Sequence, residues 1–383
     1  MMISRIILKN WKNFESVDVP LKDRMFIVGP NAAGKSNFLD AFRFLRDIVK
    51  DGGGLQQAIK NREGISKVRC FSARKYPEIS IEIHLSEHGS DKPLWKYSVG
   101  IKQEQRGKHL PQVSFEKAWR GNKLVCDRPD SDDLSDHERL FKTYIEQTNA
   151  NKEFRDIAKY LEKALYLHLV PQLLKHPDSF TGPDLPGDPF GKSFLDRLQK
   201  TSKKTRDAWL RRIDKALRIA VPQLKGLHYN EEAGKPHLEA LYEHWRPNAG
   251  KQKETQFSDG TLRLIALLWA LQESDGILLL EEPELSLHSA VVAKIPAMIY
   301  RIQKERKRQV VITTHSFDLL KDRGVSQHEI LLLEPSPNGT KIISAANKKE
   351  IGTMLESGMS PAEAIMPMTR PAGVEQLSFE FGK

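Results

Sequence analysis

The residues Gly29-Pro-Asn-Ala-Ala-Gly34-Lys35-Ser36 fill every fixed position of the pattern G-x-x-x-x-G-K-[ST]. Glycines at these places let backbone N–H groups curl around phosphates, and a following helix adds its positive N-terminal end. Lys35 would reach the β- and γ-phosphates, and the Ser36 hydroxyl would ligate Mg²⁺. The candidate nucleotide site is therefore Gly29, Pro30, Asn31, Ala32, Ala33, Gly34, Lys35, Ser36 and Asn37. Further on, Ile277-Leu-Leu-Leu280 runs into Glu281-Glu282-Pro283-Glu284. An apolar strand ending in acids sets carboxylates at the carboxyl edge of a buried sheet, where α/β folds bind ligands. One such carboxylate can hold the water shell of a metal, and the next can polarise an attacking water. Glu284 reads as structure. Ser258, followed by Asp259-Gly260-Thr261, opens an apolar segment as an N-cap, and a capped helix start with exposed N–H groups is also an anion site. His315 follows the apolar run Val310-Val-Ile-Thr-Thr314.

These groups need rigid elements to hold them. Ile3–Leu8 and Met25–Val28 read as strands, the second feeding directly into the glycine loop. Phe38, Ala41, Phe42, Leu45, Ile48 and Val49 recur at helical spacing, and that helix stops before Asp51-Gly-Gly-Gly54. Period-two alternation at Ile79, Ile81, Ile83 and Leu85, with runs at Trp95–Ile101 and Val113–Trp119, predicts a strand-rich lobe. From about Ser135 to Ala220 the pattern predicts two or three long charged helices, broken by a Pro/Gly-rich linker at His176–Gly191. After a mixed segment to Gln256 come the helix Leu262–Leu271, the strands Ile277–Leu280 and Val310–Thr313, a hairpin around Pro335–Gly339, a short helix and a tail.

Composition narrows the classes. A chain of 383 residues, 39% hydrophobic and 29% charged, matches neither collagen-like nor disordered sequence. No apolar run approaches the roughly 18–20 residues of a membrane span, so a cytoplasmic protein with no membrane contact is expected. Two cysteines are too few for a disulfide framework or a four-cysteine zinc site. The 60 basic residues outnumber the 50 acidic ones, a net charge of +10 that favours polyanionic partners.

The order of these signals resembles the ABC-type ATPase heads of the SMC, RecF-like and OLD-like group, and more closely its stand-alone AAA family ATPases of the AAA_21 kind. The resemblance carries Gly29–Ser36 as Walker A, Phe257–Arg263 as the signature segment, Leu278–Glu282 as Walker B and His315 as the switch histidine. Leu8-Lys-Asn-Trp-Lys-Asn-Phe14 is similar to the segment that opens such heads beside the nucleotide. The implied fold is α/β, a P-loop NTPase of ABC-ATPase head type with a strand-rich lobe and a helical insertion. The expected division is 1–130 and 226–365 for the two parts of the head, 131–225 for a basic helical insertion, and 366–383 for the tail.

The resemblance implies a homodimer or higher oligomer with each ATP held between Walker A of one head and Ser258 and Gly260 of the other. Glu282 would activate water, Ser36 and Glu281 would serve Mg²⁺, Lys35 would hold the phosphates, and His315 would contact the γ-phosphate. Two departures stand out. Glu281 replaces the usual aspartate and is one methylene longer. Asp259 stands where a glycine is usual, near an anionic ligand.

The stretch after His315 holds one hairpin, one helix and a tail without a D-x-D cluster, so an intrinsic Toprim nuclease is not expected. Lys192, Arg197, Lys200, Lys203, Lys204, Arg206, Arg211, Arg212, Lys215 and Arg218 form a basic segment around Trp209, which predicts a DNA-backbone grip with a stacking aromatic, or else a solvated helical face. Gln376-Leu-Ser-Phe-Glu-Phe381 is similar to peptides that dock on a sliding clamp. Two functions follow. One is ATP hydrolysis coupled to DNA binding in repair or in defence against phages and plasmids, with any nuclease on a separate protein. The other is ATP-driven assembly that scaffolds or restrains a partner effector, with incidental DNA contact.

Overall fold

A computed structural model describes residues 1–72, 77–90, 92–105, 107, 109–179, 188–243, 250–371 and 373–376. Within them the strands are β1 (Met2–Trp11), β2 (Phe14–Pro20), β3 (Arg24–Val28), β4 (Ile79–Ser86), β5 (Pro93–Gln103), β6 (Pro111–Arg120), β7 (Lys123–Arg128) and β8 (Leu165–Leu167). They continue with β9 (Leu224–Glu232), β10 (Lys235–Tyr242), β11 (Lys251–Lys253), β12 (Leu278–Glu281), β13 (Val310–Thr314), β14 (Ile330–Ser336) and β15 (Gly339–Ser344).

The core sheet runs β15-β14-β3-β13-β12-β8. All of its neighbouring pairs are parallel except β14 with β15. Strands β3 and β13 are buried along their whole length, as continuous apolar runs in a parallel sheet covered on both faces require. Alternation sorts each strand between the covers. Met25 and Ile27 pack with the helix Lys35–Val49, whereas Phe26 and Val28 pack with the helix Asp259–Ala270. The lobe is a fully antiparallel sheet in the order β2-β1-β4-β5-β6-β7, and its inward residues Ile81, Ile83 and Leu85 join the first of these cores.

One expectation is corrected. Between Ser135 and Ala220 the described residues hold a single long helix, Lys203–Ala220, together with short helices such as Arg155–Glu162, Pro171–Lys175 and Phe194–Lys200. They also hold β8, the edge strand of the core sheet, paired from Leu165↔Leu278 to Leu167↔Leu280. Three residues carry no periodicity, so β8 is a strand only because β12 offers it a free edge. Part of the Pro/Gly-rich linker, residues 180–187, lies outside the described residues, as does most of the sliding-clamp-like segment, 377–381.

Candidate nucleotide site

Because β3, β12, β13 and β8 are parallel, their carboxyl ends meet at one edge. The loop after β3 passes Gly29–Gly34 and starts the helix Lys35–Val49. Gly34 has φ +96°, and a Cβ there would fall 2.1 Å from the Asn13 amide. Any side chain there would be strained and would push the Asn13 amide from its place. Asn13 Nδ2 donates to the Ala33 carbonyl at 2.9 Å and to Thr340 Oγ1 at 2.8 Å, while its Oδ1 accepts from Asn37 Nδ2 at 2.8 Å. The opening segment of the chain thus braces the loop from outside. Lys35 is buried, and its Nζ donates to the carbonyls of Gly29 (3.0 Å) and Pro30 (3.2 Å). Burial draws its pKa down against the opposing pull of Glu282, Glu281 and Glu284.

At the end of β12 the two acids separate. Glu281 accepts from Ser36 Oγ on one carboxylate oxygen and from the Tyr166 hydroxyl on the other. Glu282 turns away at φ 45°, a left-handed conformation costly for a non-glycine residue and concentrated at functional sites. Its N–H donates to the Thr313 carbonyl at 3.0 Å, and its Oε1 accepts from His315 Nδ1 at 2.9 Å. A carboxylate only accepts, so this contact puts the proton on Nδ1 and leaves Nε2 facing outward. Glu284 is buried, accepts from Thr314 Oγ1 at 2.5 Å, and has its pKa raised by that burial. It ties β12 to β13.

Ser258 caps the helix Asp259–Ala270 by accepting from the Thr261 N–H at 3.1 Å. A Cβ on Gly260 would lie 2.3 Å from the Ser286 carbonyl, so the signature turn packs directly on the loop leaving β12. Asp259 accepts from Lys175 Nζ and Gln172 Nε2, both at 2.8 Å. The Lys175 contact leads in lowering its pKa. Its charge is therefore compensated within the chain.

A cavity of about 580 Å³ opens beside Ser36 and Asn37, lined also by Lys12, Arg62 and Arg69, with Phe71 on its wall. The sequence carries no visible signal for Tyr166, His168, Gln172 or Lys175 as site residues. All follow from β8, which brings His168 Nδ1 to 3.2 Å from the Glu281 carbonyl. Trp209 is a correction. Its ring packs on Trp269 at a centroid distance of 4.9 Å and under Arg306 at 5.4 Å, which takes it out of any base-stacking role. Arg197 pairs with Asp188 and Glu273, Arg206 lies over Tyr229, and Arg218 pairs with Asp214.

Residues 24–322 match the family described as "AAA domain, putative AbiEii toxin, Type IV TA system" (AAA_21). The chain belongs to this family. Over 114 residues it is 29% identical to the DNA replication and repair protein RecF of Proteus mirabilis (strain HI4320), a match covering 30% of this chain and 28% of RecF. Over 47 residues it is 49% identical to endonuclease GajA of Bacillus cereus (strain VD045), covering 12% of this chain and 8% of GajA. The chain thus spans under a third of the curated relatives it matches. The solved SmcHead bound to the C-winged helix domain of ScpA has the same fold, at TM-score 0.56 and 15% identity over 90% of this chain and 98% of that one. The chain is an ABC-type ATPase head of the SMC, RecF-like and OLD-like group. Among the described residues, no helix is long and apolar enough to cross a membrane.

Proposed function

We propose that the chain hydrolyses ATP with Mg²⁺ as a dimer of heads and couples this turnover to DNA. The observation that carries the reading is the convergence of Lys35, the Ser36–Glu281 contact and the Glu282–His315 pair at one sheet edge. The residues fit the metal. Ser36 and Glu281 supply hard oxygen donors. No group of three or more His, Cys, Asp or Glu among the described residues is arranged around a metal. Two protein oxygens with phosphates and waters are what Mg²⁺ ordinarily takes. When bound, Mg²⁺ would neutralise charge on the phosphate oxygens.

In this reading Lys35 exchanges its two carbonyl partners for phosphate oxygens, and the backbone of Gly29–Ser36 surrounds them. Glu282, oriented by His315, accepts the proton of the attacking water. His315 contacts the γ-phosphate. Ser258 and Gly260 serve the nucleotide of the opposing head, and the Lys175–Asp259 pair keeps a bare carboxylate from repelling it. The cavity beside Asn37 receives the nucleoside.

DNA coupling is supported by the net charge and by Lys203, Lys204, Arg211, Arg212 and Lys215, all exposed on one long helix. RecF is a DNA replication and repair protein and GajA an endonuclease, and this favours DNA repair or defence, with any nuclease on a separate protein. The toxin and TA-system wording of the family description favours a second reading, in which ATP drives assembly with a partner effector. Turnover by wild type and Glu282→Gln with and without duplex DNA, read beside solution mass, separates them. DNA-stimulated turnover with an ATP-trapped mutant dimer supports the first reading. Turnover indifferent to DNA favours the second, and no turnover with no ATP-dependent dimer removes both.

A further inference from the structure

Glu281 stands where a shorter acid is usual for metal work, and its extra methylene gives the carboxylate one more torsion to lose on ordering. Tyr166 meets that problem. It sits in the middle of β8, directly opposite Leu279 of β12, with its ring buried in the core and its hydroxyl on the second Glu281 oxygen. The ring is itself pinned. Arg43, on the helix that leaves the glycine loop, places its guanidinium carbon 4.2 Å from the ring centre. The outward oxygen of Glu281 is left to Ser36.

Resting on the reading of this edge as a Mg·ATP site, we infer that Tyr166 is a positioning residue. It fixes the rotamer of Glu281 so that one carboxylate oxygen, beside Ser36, faces the metal and its waters. The phenol hydroxyl is the donor of this contact and the carboxylate its acceptor. The same segment runs on through His168, on the Glu281 backbone, to Gln172 and Lys175, on Asp259. The stretch that sets the metal carboxylate therefore also holds the start of the signature helix.

The test is binding of a fluorescent ATP analogue to the full chain, titrated with Mg²⁺, alongside the melting temperature. A hydrogen bond to a charged group predicts that Tyr166→Phe raises the Mg²⁺ half-saturation about tenfold or more, with analogue affinity in EDTA unchanged. Glu281→Asp withdraws the carboxylate from Tyr166, so it also weakens Mg²⁺ despite restoring the usual acid. In that background Tyr166→Phe adds less than about twofold, because the contact is already gone. A folded Tyr166→Phe with wild-type Mg²⁺ dependence overturns the inference, as does a Glu281→Asp chain that binds Mg²⁺ as well as wild type. The Glu281→Asp arm decides the matter alone if Tyr166→Phe does not fold. Wild type that binds no analogue at all ends the nucleotide reading itself, a result distinct from either of these.

Discussion

Glu282→Gln is the sharpest probe of the proposed chemistry. The amide is isosteric with the carboxylate, so its oxygen still accepts from His315 Nδ1 at the 2.9 Å now seen, and the φ 45° turn is undisturbed. What is lost is the ability to take a proton. A positioned general base contributes about 10²–10⁴ in rate, or about 3–5 kcal/mol of barrier at 1.36 kcal/mol per tenfold. Substrate contacts made by Lys35, Ser36 and the loop backbone are unchanged, so binding persists and the ATP-bound state accumulates. The assay is steady-state phosphate release with sizing in ATP. Turnover is expected to fall at least about a hundredfold, and a 43.7 kDa chain is expected to elute at twice that mass only when ATP is present. Turnover within about threefold of wild type would refute the assignment of Glu282 as base, since no general base is worth so little.

The remaining expectations concern charge. Lys175→Ala leaves Asp259 with the neutral Gln172 contact but without its ion pair beside a nucleotide and should weaken ATP-dependent dimerisation about tenfold, and adding Asp259→Asn should restore it; sizing across ATP concentrations checks both. Reversing Lys203, Lys204, Arg211 and Arg212 to Glu should abolish salt-sensitive duplex retention while ATP binding persists, and unchanged retention would remove the grip from this helix. Arg128 is fully buried between Glu116 (3.0 Å) and Asp133 (2.8 Å), so Arg128→Met strands two buried carboxylates and should cost about 3–5 kcal/mol in urea unfolding. Burial pushes the Asp40 carboxyl up, but Arg62, Lys12 and Arg43 outweigh it and hold the pKa at about 2. A depressed carboxylate stabilises the fold above its unfolded value near 4 and loses that stability as pH falls toward 2. Arg62→Met should therefore destabilise clearly at pH 7 and little at pH 2, as thermal melts across that range will show.

The sequence by itself determined the chemistry of the loop and the places where the core strands end. Gly29–Ser36 needs no tertiary information, because the backbone that wraps phosphate is built from contiguous residues. Glu282 and His315 were legible for a related reason: each follows a fully apolar run, and such runs become parallel strands with ends at a common edge. The lobe was readable where alternation is regular, as in Ile79–Leu85, and not at β2; the separate three-stranded sheet β11-β10-β9 was not readable either, because charged residues break the pattern.

What only the tertiary structure decided are pairings between segments distant in the chain. Tyr166 meets Glu281 across 115 positions, Lys175 meets Asp259 across 84, and Asn13 meets Thr340 across 327. Trp209 likewise lost its expected role to Trp269. Local propensity is silent on such contacts. A three-residue strand such as β8 exists because a neighbouring strand offers hydrogen bonds along a free edge, and no residue within it announces that the edge is there.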